Sequence, residues 1–144
     1  MKNFGFIYPA ELRVTKGTVL VRFPELPEAL TEGESEADAL LQASDCLEEA
    51  IAGRIRRGDE IPKPSRPHKR HRMIAVPPPT AGKAALHIAL LEAKMSPHQL
   101  ANRLGCREKE IRHLLDPRRA SELPRLQQAL AQLGKRLVVE MRAA

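Results

Sequence analysis

The residues best placed to do chemistry lie in PHQLANRLGCREKEIRHLL, residues 97–115. With Pro97 as position 1, Leu100, Ala101, Leu104, Gly105, Cys106, Ile111 and Leu114 fall at positions 4, 5, 8, 9, 10, 15 and 18. That is the pattern of a helix-turn-helix. Ala101 is small where two helices must cross closely, and Gly105 can take the left-handed backbone of a tight turn without a Cβ penalty. Leu100, Leu104, Cys106, Ile111 and Leu114 form the wedge of core between the helices. Arg107, Glu108, Lys109, Arg112 and His113 are left exposed on the second helix. Long polar side chains there can reach base edges and phosphates in a major groove. Arg118 and Arg119 follow in a loop suited to the sugar-phosphate backbone. A helical hairpin that merely packs would need the apolar positions but not the exposed cations, so the segment reads as DNA-binding.

No second chemistry competes with it. None of the five histidines pairs with another at a zinc-binding i, i+4 spacing. His68 and His71 stand in a basic stretch without cysteine or carboxylate neighbours, and His87 sits among apolar residues as a packed or half-exposed helix residue. No metal site and no cofactor is expected. There is no glycine-rich phosphate loop and no nucleophile motif. Cys46 and Cys106 read as two reduced thiols, and the N-terminus MKNFGFIYPAELRV lacks the apolar core of a signal peptide. With no apolar stretch long enough to span a bilayer, the expected location is the cytoplasm.

The elements that hold this segment come in two blocks of opposite sign. Residues 1–62 carry 7 Lys and Arg against 12 Asp and Glu, residues 63–73 carry 5 cations and no acid, and residues 74–144 carry 12 cations against 6 acids. Such asymmetry suggests partners of opposite charge. In the acidic block, Phe4, Phe6, Tyr8, Ala10, Leu12 and Val14 alternate as one strand face, with Pro9 arguing for an edge strand or a bulge. Lys16-Gly17 makes a turn into TVLVRF, where Val19, Val21 and Phe23 share a face, and a short third strand is expected through Ala29–Thr31. Ser35 then reads as a helix N-cap with Asp38 as its capping-box partner. Ala37, Leu40, Leu41, Leu47, Ile51 and Ile55 recur at helical spacing as the stripe facing the sheet, until Gly58 ends the helix. PKPSRPHKRHRM (62–73) reads as a connector with no packing face, and MIAVP adds one more short strand. The helical patterns resume after three prolines. At the far end KRLVVEM (135–141) puts Leu137, Val139 and Met141 on one face of a strand whose only available partner is its symmetry mate, which implies a homodimer.

Together, VRFPELPEALTEGES (21–35), GDEIPKPS (58–65), HQLANRLG with EIRHLLD, and LGKRLVV give the chain a resemblance to the HicB family of antitoxins over nearly its whole length. The resemblance implies an α+β chain. Residues 1–79, including the basic connector 62–73, would be a partial ribonuclease H-like βββα unit without nuclease activity that binds a small basic HicA-like mRNA-cleaving toxin. Residues 80–144 would be an all-helical helix-turn-helix domain with a terminal strand, which binds operator DNA and dimerises, with higher-order assembly left open. The acidic and basic halves fit those two partners. Two positions depart from the usual pattern: Pro97 replaces a phosphate-binding glutamine, with Gln99 placed to take over that contact, and Arg107 replaces the serine that opens the recognition helix. A nuclease is a poor alternative, because two-metal hydrolysis needs clustered carboxylates and the first strand offers only Glu11. The chain is therefore not expected to be an enzyme. The rival reading is a stand-alone regulator with an N-terminal sensory or protein-interaction domain.

Overall fold

Lys16 and Gly17 both take positive φ, 45° and 79°, the backbone a two-residue hairpin turn requires. In the computed structural model, which describes residues 3–143, this turn joins β1 (Ile7–Thr15) to β2 (Thr18–Phe23) with Thr15 opposite Thr18. β3 (Leu26–Gly33) pairs with β2, and β4 (Arg72–Ala75) pairs with the other side of β1. The result is a four-stranded antiparallel sheet in the order β3-β2-β1-β4. β1 is thus an interior strand, not the edge that Pro9 suggested. Pro9 is tolerated because it pairs with Met73 of β4 at a point the β1–β2 ladder, which starts at Glu11, does not reach. The third strand is also longer than Ala29–Thr31.

Helix α1 (Glu36–Arg57) starts where Ser35 Oγ accepts the Asp38 N–H at 3.1 Å and stops at Gly58, φ 75°. The Asp38 carboxylate takes the Glu34 N–H at 2.9 Å, one residue earlier than a capping box would have it. The buried stripe of α1 runs through Ala39, Ala43, Leu47, Ile51 and Ile55. Ala37 and Leu41 were expected in it and are exposed, Leu41 at 70%. The reason is a close approach at the end of β3. A Cβ on Gly33 would stand 2.4 Å from the Ala39 backbone nitrogen, so the helix is turned to bring its small residues onto the sheet there. Val14, expected inside, is likewise exposed, because β1 outruns its cover after Leu12.

Residues 62–71 are not a free connector. Tyr8 donates its hydroxyl to the Pro62 carbonyl at 2.6 Å, and the Ser65 N–H donates to Glu25 Oε1 at 2.7 Å. Arg54 holds Glu28 with two hydrogen bonds of 2.6 and 3.0 Å and gives a third, 2.9 Å, to the Glu60 carbonyl. The stretch is a fastened loop that returns the chain to β4, with Ile61 buried beneath it.

Two compact units result, the first ending at Ala81 and the second beginning at Gly82. The boundary falls in the first turns of α2 (Pro78–Ala93), which Pro78 and Pro79 can open because N–H groups there have no helical acceptor. The second unit continues with α3 (Pro97–Leu104), α4 (Glu108–Leu115) and α5 (Leu123–Gln132). Leu86, Leu90, Leu100, Ile111, Leu114, Leu126 and Leu130 make its core. The expected strand at 135–141 is not formed among the described residues. All four strands belong to the first unit, so a single chain offers this segment no ladder to join.

Gly33→Ala must push backbone against backbone, and overpacking of this kind costs about 1–3 kcal/mol. Urea unfolding should show a loss of that size, while Gly5→Ala, with no neighbour within 4 Å of its Cβ, leaves the transition unchanged.

Candidate functional site

The second unit builds its exposed surface on the α3–α4 pair. Ser96 caps α3 by accepting the Gln99 N–H at 3.1 Å, and Gln99 Oε1 accepts the Ser96 N–H at 2.8 Å in return. Gly105, at φ 66°, ends the helix, and Cys106-Arg107 completes a turn of three residues into α4. Ala101 is 1% exposed at the crossing, as its size demands. Leu100, Ile111 and Leu114 are fully packed between the helices, while Leu104 and Cys106 are half-buried at the margin.

Against that core, Arg107, Lys109 and Arg112 are exposed, and Glu108 and His113 are half-buried. Arg112 Nη2 lies 3.2 Å from Glu108 Oε1, one turn back. Arg125 of α5 reaches Glu110 at 3.1 Å. Arg107 and Lys109 have no ion-pair partner among the described residues, so theirs are the uncompensated charges of α4. Arg118 and Arg119 are brought together on one carboxylate. Asp116 Oδ1 accepts the Arg118 backbone N–H at 2.9 Å and its Nε at 3.3 Å, and Oδ2 lies 3.5 Å from Arg119 Nε. The Arg118 backbone hydrogen bond, helped by both guanidiniums, holds the Asp116 carboxyl below the usual carboxylate range. Gln99 is exposed, but its carbonyl end is engaged in the α3 cap.

One residue that fixes this surface was absent from the sequence-based set. Lys83 of α2 is 3% exposed, and its ammonium donates to the carbonyls of His113 and Leu114 at 3.3 and 3.0 Å and to Ser121 Oγ. A cation on the last carbonyls of a helix satisfies groups that have no N–H partner and meets the negative end of its dipole. Burial pushes the Lys83 ammonium below its ordinary value, and Asp116 nearby opposes the shift. The clue in the sequence was a lone lysine in the otherwise apolar run TAGKAALHIALL. His87, in the same run, is buried, the packed one of the two placements its sequence allowed.

Residues 7–85 match the family described as HicB-like antitoxin of bacterial toxin-antitoxin systems. Antitoxin HicB of Escherichia coli (strain K12) is 34% identical over 135 residues, 93% of this chain and 98% of that protein. Antitoxin HicB 1 of Photorhabdus laumondii is 30% identical, covering 93% of this chain and 86% of its own length. Antitoxin HicB of Pseudomonas fluorescens is 30% identical over 96% of both. This chain belongs to the HicB-like antitoxin family. Membership makes the protein an antitoxin of a toxin-antitoxin system and implies a cognate toxin. The names describe a regulatory protein, not a catalyst. Among the described residues of the antitoxin, no helix is long and apolar enough to cross a membrane.

Lys83→Met keeps the stem of the side chain and removes the three donated hydrogen bonds. Leaving the α4 carbonyls buried and unpaired costs about 1–3 kcal/mol. Thermal unfolding of the antitoxin should register that loss, and amide hydrogen exchange should quicken first in α4.

Proposed function

We propose that the antitoxin neutralises a HicA-like toxin with its first unit and represses its own operon with its second, binding operator DNA as a homodimer in the cytoplasm. The observation that carries the DNA-binding half is the α3–α4 pair itself. Two eight-residue helices joined at a left-handed glycine present Arg107 and Lys109 without internal counterions. In this reading the pair is a helix-turn-helix. α4 enters the major groove, with Arg107, Glu108, Lys109, Arg112 and His113 at the bases, and Gln99, Arg118 and Arg119 lie against the backbone. Arg112 and Glu108 would exchange their mutual contact for groove contacts.

The first unit is proposed to be a partial ribonuclease H-like toxin-binding domain. Its net acidity through residue 62 complements a basic toxin. For the homodimer, the support is the chain end. Val138, Val139 and Met141 are exposed at 76, 84 and 96%, while Leu137 packs on the core beside them. A run of bare apolar side chains on unpaired backbone is the edge that a symmetry mate would cover.

Arg112→Ala with Lys109→Ala should abolish repression of a promoter reporter while growth rescue from the toxin persists in the same strain. The expected loss is about 1–3 kcal/mol for each base contact and less for a phosphate contact. Loss of neutralisation at unchanged protein level would overturn the division of labour. Removing residues 135–144 should turn a dimer into a monomer in analytical ultracentrifugation, and a dimer that survives would refute the proposed pairing.

A further inference from the structure

The cations of the first unit fall into two groups. Arg22, Arg54, Arg56, Arg57 and Arg72 each meet a carboxylate: Glu11, Glu28, Glu49, Asp59 and Glu36 in turn. Arg13, Lys16, Lys63, Arg66, Lys69 and Arg70 meet none among the described residues, although acids outnumber cations through residue 62. Apart from Lys16 at the β1–β2 turn, the unpaired group is not scattered. Arg13, Lys69 and Arg70 line one open cleft of about 650 Å³ together with Glu11, Leu12, His68 and His71, and Lys63 and Arg66 stand on the same loop.

That loop is held in shape. Its start is tied at Pro62 and Ser65. Near its end the His68 N–H donates to His71 Nδ1 at 3.2 Å, His71 Nε2 lies 3.6 Å from Glu11 Oε1, and the His71 side chain is only 10% exposed. Glu11 also holds Arg22 at 2.7 Å, so the one acid in the cleft is already paired. Holding several like charges together without counterions opposes folding, and here a loop tied by hydrogen bonds does so.

We propose that this cleft and loop bind the phosphate backbone of duplex DNA, as a contact separate from α3–α4. A protein partner would need a buried apolar or aromatic anchor, and the cleft offers only Leu12. Phosphates need what it does offer, which is guanidinium, ammonium and imidazole donors along an open groove. The contact carries no base readout. It adds counterion release, and so affinity and salt dependence, to whatever selectivity the second unit supplies. The inference adds to the operator-binding reading but stands on residues of the first unit alone.

The test uses the full-length antitoxin and a random-sequence duplex, with binding followed by fluorescence anisotropy between about 50 and 200 mM salt. Lys69→Gln with Arg70→Gln removes two cations whose side chains make no hydrogen bond or ion pair among the described residues. Arg56→Gln with Arg57→Gln removes the same formal charge from paired positions that do not line the cleft. The loop variant should flatten the slope of log affinity against log salt by about two units, near 0.9 for each phosphate left without its cation. The paired-site variant should keep the wild-type slope. Equal flattening in both would reduce the effect to net charge and overturn the proposal, as would an unchanged slope in the loop variant or no duplex binding by the wild type. Loss of toxin neutralisation in the loop variant, with its DNA slope unchanged, would assign the cleft to a protein and overturn it as well. Promoter-over-scrambled preference, measured beside this, reports on α3–α4 separately. If that preference is missing but the loop variant still flattens the slope, the operator reading fails and this one stands.

Discussion

The exposed surface of the second unit depends on one buried ammonium. Helix α4 has only eight residues, too few to be stable alone, and its last carbonyls would lie against the core without donors. Lys83 supplies them from a different helix and ties α2 to the end of α4 and, through Ser121, to the loop that follows. Asp116, one residue past α4, gathers Arg118 and Arg119. The Lys83 ammonium on its last carbonyls leaves α4 little freedom to fray at that end.

The parts of this arrangement that were legible in the sequence are the local ones. Ala101, Gly105 and the apolar wedge are fixed by spacing within nineteen residues, and the structure places each as its size or backbone freedom requires. Lys83 was not legible, because its acceptors lie 30, 31 and 38 residues further on and only packing brings them together. The same limit explains the misplaced stripe of α1. Periodicity finds a helix, but whether Leu41 or Ala43 faces the sheet was decided by the backbone approach at Gly33, a contact between elements. Pro9 misled for a related reason: a strand can be interior over one stretch and an edge over another. The terminal segment 135–141 kept its apolar pattern but could not become a strand, since a strand is a property of two partners.

Charge shows a similar division between composition and structure. The counts along the chain separate an acidic block from two basic ones, but they say nothing of which charges are spent. In the first unit the arginines of α1, β2 and β4 are consumed by neighbouring acids, and Glu28 is drawn below the ordinary carboxylate range by the two-pronged grip of Arg54. What remains unspent is concentrated on the loop and on Arg13, with Lys16 apart from them at the β1–β2 turn. The electrostatic character of this unit therefore changes across its surface, which an average over the sequence conceals.

The α3 cap has a consequence for the one glutamine on that helix. A free glutamine can recognise adenine with both ends of its amide, the oxygen accepting from the amino group while the nitrogen donates to the ring. In this protein the oxygen is already occupied by the Ser96 N–H, so the end with hydrogens left to give is the nitrogen. Against a duplex, such a side chain can donate to an acceptor but cannot tell adenine from guanine by a matched pair of bonds. In the proposed DNA-binding role, Gln99 sets the depth and angle at which a helix sits, and the work of discrimination falls to α4.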